Sequence, residues 1–135
     1  MTYKFTNAIV RKPNKSIHNA LSSQYLHPSY EKILEIHNNY INSIEEAGLN
    51  IILLESLEQY PDSIFVEDPA LIFKNNIIVL NPSDVTRNGE AKIIKNEISK
   101  YFEKIFFVEK GAIEGGDILN IDNHFITVSY THLTL

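Results

Sequence analysis

The 135-residue chain has no cysteine. Disulfides are therefore excluded, and so is any nucleophilic or redox step that needs a thiol from this stretch of protein. Long apolar runs are missing as well. None approaches the ~20 residues a membrane helix needs, and Met1 to Thr6 lacks the continuous apolar core of a signal peptide. No membrane partner is expected, and the expected compartment is the cytoplasm. Positive charge is sparse: 12 Lys and Arg stand against 17 Asp and Glu, a formal charge of −5 at pH 7. No Lys/Arg cluster could neutralise a run of phosphates, so nucleic acid is not an expected partner. The five histidines, His18, His27, His37, His124 and His132, form no HxxxH-type pair. No metal is assigned to them, and nothing in the chain asks for a cofactor.

What is present is an apolar content of 44%, enough for the core of one soluble domain. Ala8-Ile9-Val10-Arg11, closed by Pro13, reads as a first strand entering a loop that runs to about Pro28. Tyr30, Ile33, Leu34, His37, Tyr40, Ile41 and Ile44 then recur at steps of three and four, with Ser29 placed as a cap and Gly48 as a stop. That spacing predicts a helix, followed by a buried strand from Leu49 to Leu54. Leu71-Ile72-Phe73 and Ile77 to Leu80 flank Lys74-Asn75-Asn76 and predict a hairpin whose turn residues tolerate left-handed backbone. A second helix is expected from about Asn88 to Phe102, with Ile94, Ile98 and Tyr101 on one face, leading into a strand from Ile105 to Val108. The pattern then begins again with Ile118 to Ile121, a turn at Asp122-Asn123, and His124 to Thr127. Asp68 precedes the first hairpin as Asp117 precedes the second, 49 positions later. A repeat of hairpin, helix and strand at this period is the sign of a ββαβ array, and two copies cannot close a ring. The expected class is α/β.

Two segments carry polar residues where strand neighbours should be apolar. Pro61-Asp62-Ser63-Ile64-Phe65-Val66-Glu67-Asp68-Pro69 places three carboxylates beside an apolar strand. They would be costly to bury unless they met a cation, and a guanidinium suits them because its planar donors pair bidentately with carboxylates. A solvated acidic strand end is the plainer alternative. In Ile113-Glu114-Gly115-Gly116-Asp117 the paired glycines permit close approach to the backbone, and a flanking Glu can orient a histidine acting as general base. Equally, the segment can be a glycine turn with Asp117 as local acceptor. Arg87, alone ahead of the second helix, is free either to hold a carboxylate or to sit solvated at the surface. His37, on the apolar face of the first helix, is read as a packing residue.

Taken together, Ala8-Ile9-Val10-Arg11, the segment from Pro61 to Pro69, Arg87 with Gly89-Glu90, and Glu114-Gly115-Gly116-Asp117 resemble the dimethylarginine dimethylaminohydrolase family. The likeness covers about the first 127 residues. Glu67 ahead of Asp68 separates the chain from the related arginine deiminases, which usually carry arginine there. The resemblance implies a pentein-type α/β propeller of five ββαβ modules around a pseudo-fivefold axis, of which this chain supplies about two and a half. It implies a small-molecule substrate, methylated arginine, hydrolysed to citrulline and an alkylamine through a cysteine nucleophile. By position, Asp62 and Glu67 would hold the substrate guanidinium with Asp68 beside the reacting centre, and Arg87 would bind the α-carboxylate. Leu21 would fall on a loop whose backbone contacts the ligand, and Glu114 would orient the catalytic histidine. Asn88 stands where relatives often carry a second arginine. An arginine deiminase-like hydrolase and a non-catalytic arginine-binding module are the alternatives.

The family's cysteine and histidine both fall later than this chain reaches, and His124 and His132 lie too early to match the histidine. Val128-Ser129-Tyr130-Thr131-His132-Leu133-Thr134-Leu135 resembles the translation of a sequencing-library adapter. The expected domain is therefore 1–127, the N-terminal part of one catalytic domain, with 128–135 outside the fold. A fragment of this kind is expected to be inactive, and its apolar edge strands to favour self-association. No oligomeric state is read from the sequence.

Overall fold

A computed structural model of the chain describes residues 5–22, 29–121 and 124–127. Strand β1 (Asn7–Arg11) leads through a 3₁₀ turn (Lys15–Asn19) toward helix α1 (Tyr30–Glu46). The Ser29 hydroxyl caps α1 by accepting from the Lys32 N–H at 3.4 Å, and Gly48, at φ 88°, reverses the chain after it. The α1 face turned inward carries Ile33, Leu34, His37, Ile41 and Ile44, whereas Tyr40 is 56% exposed. Strand β2 (Asn50–Leu54) returns parallel to β1, Ala8 facing Ile51 and Val10 facing Leu53. Parallel neighbours need such a crossover, and α1 supplies it.

Strands β3 (Ala70–Phe73) and β4 (Asn76–Val79) form the expected hairpin, with Phe73 opposite Asn76. The left-handed position in the turn is Lys74 (φ 56°). After β4, a 3₁₀ turn (Val85–Arg87) precedes α2 (Glu90–Ile98), and β5 (Lys104–Phe107) pairs parallel to β4. The second helix is thus shorter than its periodicity predicts. Gly89, at φ 103°, holds the start back to Glu90, and Ser99–Tyr101 tightens into a 3₁₀ turn that rotates Tyr101 outward to 47% exposure. Strands β6 (Ile118–Ile121) and β7 (His124–Thr127) form a second antiparallel hairpin, and the expected turn at Asp122-Asn123 lies outside the described residues.

The core is one cluster of Leu54, Ala70, Ile77, Val79, Ile94 and Ile98, with Ile77 fully inaccessible and Ile9, Ile52, Val66 and Phe102 packed against it. It joins the underside of α2 to both the β1–β2 pair and the β3–β4–β5 sheet. Arg11 locks that junction. It is 2% exposed, grips Glu97 of α2 through Nη1 at 3.1 Å and Nη2 at 2.5 Å, and donates to the Glu55 carbonyl at 2.7 Å. The described residues form three separate sheets, none of them closed.

Candidate functional site

The segment from Pro61 to Pro69 is not a free acidic loop. The Asn14 side chain, with no exposed surface, donates through Nδ2 to the Tyr60 carbonyl at 2.9 Å and the Ser63 hydroxyl at 3.1 Å. Its Oδ1 accepts from the Ser16 hydroxyl at 2.8 Å. A buried amide satisfied at both ends fixes one turn of the loop to the turn after β1. Asp62, 5% exposed, accepts the Leu21 N–H with both carboxylate oxygens at 3.2 Å. Leu21 therefore reaches the acidic segment through its backbone while its side chain stays 55% exposed.

Arg87 is 4% exposed, drawn inward by the 3₁₀ turn that Asp84 caps through the Thr86 N–H at 2.8 Å. Glu90, 3% exposed, takes the Arg87 fork bidentately, from Nε at 3.1 Å and Nη2 at 2.8 Å. Nη1 donates to Asp68, and Nη2 also donates to the Phe65 carbonyl at 3.2 Å. Burial works against the charged guanidinium, but the bonds and charges of Glu90 and Asp68 outweigh it and raise its pKa. Burial also pushes the Glu90 carboxyl up, with Arg87 pulling it back. The sequence allowed Arg87 to be solvated or open to a ligand carboxylate. Instead its donors are engaged, because a guanidinium can be buried only with anions and carbonyls to meet its N–H groups.

The second singled-out segment docks on the first. The Gly115 N–H donates to the Asp68 carbonyl at 3.0 Å, and a Cβ at Gly115 would overlap the Glu67 carbonyl oxygen, with the carbonyl carbon at 2.9 Å. Glycine is needed there for the approach. Around it, Gly115–Asp117 forms a 3₁₀ turn, the Glu114 N–H donates to the Asp117 carboxylate at 3.1 Å, and the Glu114 carboxylate accepts the Ser83 N–H at 3.2 Å. Asp117 is thus the local turn acceptor that its tetrapeptide allowed. Glu114 is half-buried and held next to the β4–α2 loop.

Glu67, the one acid of the group left exposed, has no hydrogen bond among the described residues. It lines a cavity of about 580 Å³ together with Asp68, Gly115, Gly116, Tyr40 and apolar side chains of β1, β3 and α2. It also lines a neighbouring cavity of about 400 Å³ with His37, Tyr40, Ile9, Ile33 and Phe65. Neither of these two cavities is lined by Asp62, Arg87, Leu21 or Glu114; Asp62, Arg87, Asp68 and the Glu114–Asp117 turn are joined by hydrogen bonds, and Glu67 and Asp68 border the cavity. His37 is buried, and burial lowers its imidazole pKa below the ordinary value, as befits a packing residue. Asn14 and Glu90 hold the cluster together and were given no role from the sequence. Glu90 had a signal, an acid in the first turn of a helix three residues after an arginine, whereas for Asn14 the groups that its Nδ2 donates to lie more than 40 positions away and only Ser16 is near in sequence.

The α/β scaffold that carries this cluster is shared with solved hydrolases of arginine and of its methylated derivatives. The match is specific. The family model for N,N dimethylarginine dimethylhydrolase, eukaryotic, covers residues 5–134. The chain is 37% identical over 124 residues to N(G),N(G)-dimethylarginine dimethylaminohydrolase of Pseudomonas aeruginosa, spanning 90% of this chain and 49% of the relative. The Streptomyces coelicolor enzyme of the same name is 27% identical over 120 residues, 84% of this chain and 45% of the relative. Among solved structures, the Pseudomonas aeruginosa protein, as a cysteine-to-serine variant complexed with citrulline, superposes with a TM-score of 0.87 at 36% identity, over 91% of this chain and 49% of that one. The N-terminal domain of ArgZ, a cyanobacterial arginine dihydrolase, shares the fold at a TM-score of 0.73 and 17% identity, over 86% of this chain and 45% of that one.

The chain belongs to the dimethylarginine dimethylaminohydrolase family. It spans about half the length of the relatives it matches. No helix among the described residues is long and apolar enough to cross a membrane.

Proposed function

We propose that this chain is the substrate-guanidinium half of a hydrolase that converts dimethylarginine to citrulline and an alkylamine. The observation that carries the reading is the docking of Glu114-Gly115-Gly116-Asp117 onto Glu67-Asp68 through the Gly115 N–H, which brings the acid that would orient a histidine to the acids that would hold a cation. In this reading Glu67 and Asp68, at the open side of the cluster, receive the guanidinium, and Asp62 supports them while tethering the Leu21 backbone. A planar cation flanked by carboxylates is held by paired, charge-assisted bonds, which positions its central carbon for attack. Arg87 takes a different first part from the one its position implied: it fixes Asp68, and a substrate α-carboxylate would have to share the guanidinium with Asp68 and Glu90.

The chemistry itself belongs to the rest of the protein. A cysteine thiolate adds to the guanidinium carbon, the alkylamine leaves carrying a proton from the histidine, and water resolves the thiouronium to citrulline and free thiol. Two solved variants support that division, one from Pseudomonas aeruginosa lacking a cysteine and holding citrulline, and a dimethylarginine dimethylaminohydrolase lacking a histidine and forming an adduct with S-methyl-L-thiocitrulline. The unit β3–β4–α2–β5 followed by β6–β7 fits one ββαβ module of a five-module propeller and the start of the next. Residues 128–135, expected from the sequence to be adapter-derived, lie outside the described residues, and the family model runs to residue 134.

The test is recovery of the contiguous downstream sequence and assay of the full-length product. A late cysteine whose replacement abolishes citrulline release while leaving citrulline binding intact supports the reading. A complete frame without that cysteine, still binding arginine, makes the protein a binder instead. Hydrolysis of arginine in preference to dimethylarginine would shift the substrate.

A further inference from the structure

Glu90 is a buried carboxylate with a single described partner. It opens α2, where the helix N-terminus favours an anion, and both its oxygens are taken by Arg87. Because a guanidinium is planar, gripping Nε and Nη2 on one edge fixes the direction of Nη1 on the other. That direction is Asp68. The Phe65 carbonyl on Nη2 closes the third side, so Arg87 spans from α2 to the segment carrying Glu67 and Asp68 without freedom to rotate. We propose that Glu90 is a positioning residue of the site, holding Arg87 so that it steadies Asp68 through one N–H and does not close on it as a bidentate pair.

This rests on the guanidinium-binding reading of Glu67 and Asp68. Without the Glu90 carboxylate, Arg87 would keep its charge and have one anion within reach. Its fork would turn to Asp68 and engage both carboxylate oxygens, removing them from a cationic substrate. Arg87 would also place an uncompensated positive charge beside the acids that attract that substrate. The step affected is binding of the cation, so the change belongs in KM for dimethylarginine, with kcat largely kept.

The experiment uses the full-length enzyme and the near-isosteric Glu90→Gln. The expected result is a KM for dimethylarginine raised about tenfold with kcat changed by less than about threefold, and a much smaller loss of affinity for citrulline, which is neutral at the ureido end. The KM effect should also vanish when Glu90→Gln is introduced into Arg87→Met, because no arginine remains to turn. If Glu90→Gln does not fold, Arg87→Met/Glu90→Leu, which removes both charges, keeps the idea open to refutation: with no arginine left to close on Asp68, its KM for dimethylarginine should not rise beyond that of Arg87→Met alone. An unchanged KM, a fall confined to thermal stability, an equal loss for citrulline and dimethylarginine, or a Glu90→Gln effect that persists in Arg87→Met overturns the proposal. A wild-type protein inactive on dimethylarginine overturns the underlying reading instead, and the two failures are distinguishable.

Discussion

Of two adjacent glycines, only one should tolerate a methyl group. At Gly115 an added methyl meets backbone: the Glu67 carbonyl oxygen overlaps it, the carbonyl carbon lies at 2.9 Å and the Asp68 Cα at 3.4 Å. Backbone cannot step aside as a flexible side chain can, so Gly115→Ala must push the glycine turn away from the Glu67–Asp68 strand end and stretch the 3.0 Å bond from Gly115 to the Asp68 carbonyl. Overpacking of this kind costs about 1–3 kcal/mol. In a chain of 150–250 residues, each kcal/mol moves Tm by roughly 2–4 °C, so the full-length variant should melt about 2–12 °C lower. Gly116 has nothing within 4 Å of its would-be Cβ, and Gly116→Ala should stay within about 0.5 kcal/mol of wild type. Thermal unfolding followed by circular dichroism reads both, and citrulline titration should show weakened binding only for Gly115→Ala. Equal melting temperatures for the two variants would refute the docking of the two segments.

Three further outcomes follow from the geometry. Asn14→Ala strips the donor that pins Tyr60 and Ser63 and should cost about 1–3 kcal/mol in denaturant unfolding; a neutral result would mean that the loop is held elsewhere. His37 has its pKa depressed by burial, so the unfolded chain binds the proton more readily. Stability should therefore be full above the ordinary histidine pKa and fall as pH drops through it toward the folded value, a decline that His37→Gln should flatten in pH-dependent melting. The 135-residue chain by itself should self-associate in sedimentation, because Phe106, Phe107, Leu119, Phe125 and Ile126 are each more than 40% exposed. A monomer with a sharp melting transition would contradict that.

The periodic parts of the fold were legible in the sequence because their causes are local. The three- and four-residue spacing of Ile33, His37, Ile41 and Ile44 and the cap at Ser29 define α1, and the apolar runs around Lys74-Asn75 define the hairpin. The end of α2 was misjudged because Tyr101 keeps helical spacing while the backbone tightens to a 3₁₀ turn, a change that carries no composition signal. At the site, the acidic segment with Asp62, Glu67 and Asp68 could be singled out, but not the state of Arg87. Its orientation depends on Glu90, three residues away, and on Asp68, nineteen positions back, and single-residue reasoning does not weigh partners against one another. The buried Asn14 anchor and the Arg11–Glu97 pair were out of reach for the same reason, since each joins elements distant in sequence.

The most direct test of the central claim is citrulline release from dimethylarginine by the full-length protein, wild type beside Glu67→Ala. Glu67 is the exposed acid at the cavity with no hydrogen bond to lose among the described residues, so its removal should leave folding unchanged. Turnover by the wild type is expected, and in the variant a KM raised at least about tenfold with the melting temperature preserved. A variant with wild-type KM and kcat would contradict the placing of the substrate guanidinium at Glu67 and Asp68.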